Sequence, residues 1–238
     1  MQFNQTLQPA ILIKRYKRFL ADVTLENGKE ITVHCPNSGS MLGCDRPGSA
    51  VMVSRSDNPK RKYPHTLEMI RVDGCWVGIH TGRSNHLVRE ALENGAISQF
   101  GTISSIRPEV KTGNSRLDFL LENGEGKIYL EVKNCTLAEN RLAMFPDAVT
   151  VRGAKHLNEL LRLRQEGHRA VIIYCIQRTD ADIFSPAAHI DPIYARTLDT
   201  VCNKGVEALA FQAEVKPEAI AIYRQVPVRL GCVEQGSV

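Results

Sequence analysis

Residues 170–176, Ala-Val-Ile-Ile-Tyr-Cys-Ile, are apolar without interruption. A strand of that kind has no polar face to turn to water, so it must lie inside a sheet that is covered on both sides. Its neighbours supply the cover. Residues 150–166 place Val151, Ala154, Leu157, Leu160 and Leu161 at helical spacing and stop at Gly167. Asp191-Pro192 offers an N-cap and an N1 proline for a helix that buries Ala195, Leu198 and Val201 and ends by Gly205. Ser84 is placed to cap an earlier helix that buries Leu87, Val88, Ala91 and Leu92 and stops at Gly95. Strand patterns occur near 106–111, 116–122 and 127–133, and again at 206–215 and 220–230. Residues 81–238 therefore read as α-β-β-β-α-β with an α-β extension, a mixed sheet under helices.

Residues 1–80 carry a different rhythm. Phe19, Ala21, Val23 and Leu25 alternate, Asn27-Gly28 is a two-residue hairpin turn, and Ile31 and Val33 resume the alternation. Residues 36–40 and 46–48 read as loop and 50–54 as a strand. Residues 66–72 and 75–79 form a second hairpin about Asp73-Gly74. Five short strands without a helix suggest a small closed barrel of the OB type. The fold class expected is mixed α/β, with an OB-like barrel over 1–80 and a helix-covered sheet over 81–238.

Charge separates the same two parts. The first 66 residues hold ten Lys and Arg against five Asp and Glu, a net +5, and the remainder twenty against twenty-one, a net −1. A positive module beside a nearly neutral one suits a polyanionic partner. The cations fall in two stretches, Lys14, Arg15, Tyr16, Lys17 and Arg18, then Arg55, Lys60, Arg61 and Lys62, with Tyr63 following. Phosphates would draw the cations through counterion release, and a tyrosine could stack on an exposed base. The alternative is a solvated charge run. Nothing in either stretch reads a base edge, so the expected DNA contact is with backbone phosphates, at low sequence specificity. Seven scattered cysteines without a C-x-x-C pair argue against a disulfide framework and a zinc site, and His34-Cys35 with Cys44 reads as a turn. No apolar run nears the roughly 18 residues of a membrane span, so the expectation is a soluble, unprocessed, cytoplasmic protein.

The chemistry is concentrated in residues 116–134. Leu117, Phe119 and Leu121 share one strand face and Asp118 takes the other; Ile128, Leu130 and Val132 share a face and leave Tyr129, Glu131 and Lys133 opposite. Pairing Glu122 with Lys127 across a four-residue loop sets Asp118 opposite Glu131, with backbones ~4.5–5.5 Å apart. Like charges so placed destabilise a sheet unless a cation intervenes, and Mg²⁺, or Mn²⁺, suits two carboxylates. Asp118 and Glu131 are thus candidate metal ligands. Lys133 points the same way and could stabilise charge on a phosphodiester undergoing attack, which makes Asp118, Glu131 and Lys133 a candidate catalytic set. A salt-bridged, solvated strand face is the alternative for the same three residues.

The order helix, strand, Asp strand, Glu-x-Lys strand, helix, strand resembles the PD-(D/E)xK nuclease core. Several segments resemble the sugar fermentation stimulation protein A family: Lys14-Arg-Tyr-Lys-Arg-Phe-Leu-Ala-Asp22, His34-Cys-Pro-Asn-Ser-Gly-Ser-Met-Leu-Gly-Cys44, Asp57-Asn-Pro-Lys-Arg-Lys-Tyr-Pro64, Leu130-Glu-Val-Lys-Asn134 and Phe145-Pro-Asp-Ala-Val149. The resemblance implies an OB-like barrel joined to a nuclease-like domain, DNA binding more firmly than cleavage, and a role in regulating sugar (maltose) metabolism. The chain departs from an active nuclease in two places. Leu117 stands where the motif has proline, and the first helix begins Asn85-His86 where many such enzymes carry a glutamate. Accessory candidates are Asn85, Glu90 (further along and angled away from the apolar face), Asp147, Arg152 and Lys155. Arg152 and His156 fall on one helical stripe that reads as solvent-facing. Two functions remain open, a DNA-binding regulator and a Mg²⁺-dependent DNA nuclease. A sugar-binding regulator is weaker, because no aromatic platform with interleaved amides is present.

Overall fold

The computed structural model describes residues 1–113 and 115–231, so Cys232 lies outside the described residues. Six strands come first: β1 (Gln8–Tyr16), β2 (Leu20–Leu25), β3 (Glu30–His34), β4 (Ala50–Arg55), β5 (His65–Val72) and β6 (Cys75–Gly78). They lie in the order β3-β2-β1-β4-β5-β6, and a bridge from His34 to Thr66 joins β3 to β5 and closes β1–β5 into a barrel. Leu12, Ala21, Val23, Val33, Val51, Val53, Leu67 and Ile70 fill its interior. Closure removes the free sheet edges that five short strands would otherwise leave.

β1 is absent from the sequence reading for a visible reason. Ile11 is exposed and the pairing with β2 slips between Leu12 and Lys14, so the strand lacks clean alternation. The turn at Asn27-Gly28 also differs. Leu25 N–H donates to Lys29 O at 2.9 Å, enclosing three residues, and only Gly28 is left-handed, at φ 79°. At Asp73-Gly74 both residues have positive φ, as a two-residue turn requires.

The remaining elements are α1 (Arg83–Glu93), β7 (Ile103–Thr112), β8 (Ser115–Asn123), β9 (Gly126–Cys135), β10 (Leu137–Glu139), β11 (Leu142–Phe145), α2 (Val151–Gln165), β12 (Arg169–Ile176), β13 (Ile183–Pro186), α3 (Pro192–Cys202), β14 (Glu207–Val215) and β15 (Ile220–Val226). The second sheet runs β15-β14-β12-β9-β8-β7, with β12 parallel to both its neighbours. Residues 170–176 are fully buried between two layers, as their composition demands. On one side α1 packs Leu87 and Val88 on Leu130, Val171 and Ile173, and Met52 and Met69 of the barrel join that core. On the other, Leu157, Leu160 and Leu163 of α2 and Tyr194, Leu198 and Val201 of α3 cover Tyr129, Ile172 and Tyr174. The small sheet β10-β11-β13 has only three or four residues per strand, too short to show a period, and the sequence reading missed it.

Two helix starts differ from expectation. Ser84 does not cap α1; Gly82 occupies the cap position and Ser84 is buried inside the first turn. Thr150 caps α2 by accepting from Gly153 N, and the helix so begun turns Val151 out to 83% exposure while Gly153, His156, Leu157, Leu160 and Leu163 face the sheet. α3 begins as read, with Asp191 accepting from Tyr194 N and Pro192 in its first turn. No helix among the described residues is long and apolar enough to cross a membrane.

Candidate active site

β8 and β9 pair with Glu122 opposite Lys127, the register expected, with Asn123 and Gly126 pairing inside the expected four-residue loop, and their ladder ends at Phe119 and Leu130. Beyond that pair the strands part. The carboxylate of Asp118 takes the place of a ladder carbonyl, its Oδ2 accepting from Val132 N at 2.8 Å. The disruption breaks the alternation. Leu117 packs with Leu120 under α2, whereas Phe119 and Leu121 pack under α1, so the expected single face of 117, 119 and 121 does not form.

Asp118 and Glu131 therefore meet at the end of a ladder. Asp118 Oδ1 accepts from Asn85 Nδ2 of α1 at 2.7 Å. Glu131 is 2% exposed; its Oε1 accepts from Lys133 Nζ at 2.5 Å and from Nδ1 of His156 on α2, and its Oε2 has no partner among the described residues. Burial and the neighbouring Glu131 charge push the Asp118 carboxyl above the usual range, although Val132 N–H, Asn85 and Lys133 oppose the shift. Burial pushes Glu131 up as well, but the His156 hydrogen bond and the Lys133 charge outweigh it and hold its carboxyl below the usual value. The two acids are thus pulled apart in acidity, a pattern that marks functional carboxylates more often than structural ones.

The first turn of α1 is tied to this end of β9. Asn134 Oδ1 accepts from Ser84 Oγ at 2.8 Å and from Gln177 Nε2 at 2.6 Å. These groups open into a cleft of about 650 Å³ between the barrel and the second sheet, with Asp118, Glu131 and Lys133 on its lining, Arg18 entering from the barrel and Arg152 and His156 from α2. The other accessory candidates make structural contacts of their own. Glu90 binds the amino group of Met1 and lies outside the cleft. Asp147 lines the cleft, but its Oδ2 accepts from Met41 N at 2.8 Å and its carbonyl from Ser40 Oγ at 2.5 Å, so it fastens the barrel loop 39–41 to the connection between β11 and α2. Gly39 is required at that clamp, because a Cβ there would stand 2.6 Å from Asp147 Oδ1. Lys155 is exposed one turn before Glu159 and contributes to holding that carboxyl low.

The basic stretches divide similarly. Arg15 is committed to structure: its guanidinium donates to the carbonyls of Arg18, Asn37, Gly39 and Ser40 at 2.8–2.9 Å, closing the loop that meets Asp147. Tyr16 donates to Asp22 Oδ1 at 2.9 Å, with Lys14 Nζ 3.7 Å from the same carboxylate. Lys17 and Arg18 form the exposed β1–β2 turn. Arg55, Lys60 and Lys62 are exposed, and Arg61 donates to Thr66 Oγ1 at 3.1 Å. Leu20, His34 and Thr66 are successive cross-strand neighbours, so the two basic stretches reach the same rim of the barrel.

His156 is the site residue that sequence reasoning missed. The signal was present: Thr150 three residues before Gly153 makes a better helix start than the apolar Val151, and from it His156, Leu160 and Leu163 fall on one stripe. All six described cysteines are free.

A closed barrel of OB type joined to a mixed, helix-flanked sheet of restriction-endonuclease-like order, with two acids and a lysine at the parting of neighbouring strands, defines the class of protein. The models for the sugar fermentation stimulation protein RE domain and the SfsA N-terminal OB domain match residues 82–219 and 13–79. The chain belongs to the sugar fermentation stimulation protein family. Relatives described as sugar fermentation stimulation protein homologs include one from Desulfotalea psychrophila, 55% identical over 93% of this chain and 94% of its own, and one from Pelobacter propionicus, 57% identical over 92% and 96%. A solved structure of SfsA from Pyrococcus furiosus in complex with Ca²⁺ superposes with a TM-score of 0.90 at 26% identity, covering 97% of this chain and 98% of its own.

Proposed function

We propose that this protein binds DNA through its backbone phosphates, at low sequence specificity, and hydrolyses phosphodiester bonds at Asp118, Glu131 and Lys133 with a divalent cation. The observation that carries the reading is Glu131 Oε2, an acceptor-only oxygen buried without a partner among the described residues, beside a second acid whose pKa is raised. A buried orphan of that kind calls for a missing positive group. The donor set fits a hard ion such as Mg²⁺ or Mn²⁺: Asp118 and Glu131 would hold it, and because no three His, Cys, Asp or Glu among the described residues form a metal-binding group, water and substrate oxygens would complete its shell. The Ca²⁺ complex of the Pyrococcus furiosus relative supports the same reading.

Bound there, the ion would polarise a phosphoryl oxygen and acidify water. Asn85 fixes the rotamer of Asp118, and Lys133 holds a positive charge on the cleft wall where negative charge develops during attack. The exposed cations of the barrel rim, Lys14, Lys17, Arg18, Arg55, Lys60 and Lys62, would position the backbone. A regulatory role in sugar metabolism, maltose included, would be exerted through that contact.

A second reading, DNA binding without turnover, is favoured by one observation: Asn85, not an acid, meets Asp118 from α1. Incubating plasmid and short duplex DNA with Mg²⁺, Mn²⁺ or EDTA separates the two. Metal-dependent cutting that Lys133→Met abolishes without loss of gel retardation is the expected result. Intact DNA with every metal, despite retardation, would leave only the binder. Absence of retardation at low salt would remove both.

A further inference from the structure

His156 has no part in the reading above, yet it is 4% exposed and directed at the same carboxylate. An ionised carboxylate can only accept, so Nδ1–H donates in that contact, with Lys133 Nζ 3.5 Å from the same nitrogen. Arg152 Nε lies 3.4 Å from Nε2 and donates to it, which agrees with the same tautomer. The ring is therefore locked at both edges, under an arginine of the cleft wall and against Glu131. Lys133 Nζ donates to the same oxygen of Glu131 that His156 uses. Oε1 thus has two donors while Oε2, also buried, has none among the described residues. Turning the carboxylate plane out of this orientation would break both contacts, so the pair fixes the plane and leaves the other oxygen open.

We infer that His156 is a positioning residue that presents Glu131 to a divalent cation through Oε2 alone, with Arg152 holding the imidazole. The inference rests on the cation site proposed above. Groups that orient a ligating side chain in this way change metal affinity by about 10–100-fold when removed. A histidine that merely filled space would be replaceable by leucine. One that positions Glu131 would be replaceable by asparagine, whose amide N–H stands near the place of Nδ1–H.

The test is calorimetric titration of the full chain with Mn²⁺, without DNA, so that the readout is affinity and not turnover. Melting curves in EDTA accompany each variant to establish that it is folded. Wild type is expected to bind, His156→Ala and His156→Leu to bind about 10–100-fold more weakly, and His156→Asn to stay within a few-fold of wild type. Equal affinity for wild type and His156→Ala would overturn the inference and leave the cation site standing. Recovery by leucine but not asparagine would reduce His156 to packing and also overturn it. No heat of binding with wild type would overturn the cation reading, and this inference with it.

Discussion

Replacing Asp118 with asparagine should stabilise the protein while removing its capacity for a cation. Asp118 is held in a half-buried position where burial and the Glu131 charge both disfavour its ionised form. An asparagine in its place would keep the hydrogen bond from Val132 N, and the Asn85 amide, by flipping, could accept from the new NH₂. What disappears is the repulsion between two carboxylates at the end of one ladder. Relieving functional strain of this kind is worth about 0.5–2 kcal/mol, which for a chain of this size raises Tm by about 1–8 °C. Because the folded pKa of Asp118 lies above the unfolded one, its favourable contribution is complete below the ordinary carboxylate pKa and is lost as pH rises through the raised value. The advantage of Asp118→Asn should therefore be largest near neutral pH and shrink as Asp118 protonates on acidification. Thermal melts in EDTA at several pH values measure this directly. Adding Mn²⁺ should reverse the order, since wild type gains ~2.7 kcal/mol at one hundred times Kd and the variant much less. An Asp118→Asn protein no more stable than wild type in EDTA, or raised equally by Mn²⁺, would refute the reasoning.

Other consequences lie where the barrel meets the second sheet. Glu68, 1% exposed, takes Arg83 Nε at 2.6 Å and Nη2 at 2.7 Å, so Arg83→Met would strand a buried charge and cost about 3–5 kcal/mol, a fall in Tm of about 6–20 °C. Arg83→Met with Glu68→Leu should recover most of that loss in the same melts, and failure to recover would mean that the cost is not electrostatic. Charge reversal at Lys14, Lys60 and Lys62 should weaken gel retardation of DNA and make the slope of log affinity against log salt shallower by about 0.9 for each phosphate no longer neutralised. Arg15→Gln should instead speed hydrogen exchange in residues 37–40 with retardation preserved, because that guanidinium is engaged by four carbonyls.

Much of this architecture is legible in local pattern. The pairing of Glu122 with Lys127, expected across the turn, is the one that forms, and it carries Asp118 toward Glu131. Asp191-Pro192 marked the start of α3, and the apolar run at 170–176 demanded a covered central strand. The misreadings share a cause. Val151 lies on the outside because the Thr150 cap, not hydrophobicity, fixes where α2 begins. Arg15 resembles its basic neighbours in sequence but meets carbonyls of a loop more than twenty residues away, and Glu90 meets Met1. β10, β11 and β13 are too short to carry a period at all.

By itself the sequence determined the three helices and the longer strands apart from β1, the register of the acidic hairpin, and the family, since side-chain periods of 2 and 3.6 and turn stereochemistry act over a few residues. Only the tertiary structure decided that Asn85 and His156 join Asp118, Glu131 and Lys133 in one cleft, that the ladder parts at Asp118, and that one oxygen of Glu131 is left without a donor among the described residues. Those outcomes depend on contacts between groups 14, 25 and 33 residues apart, Asp118 with Val132, Glu131 with His156 and Asn85 with Asp118, where helix rotation and sheet closure, which no local period records, settle which polar groups meet.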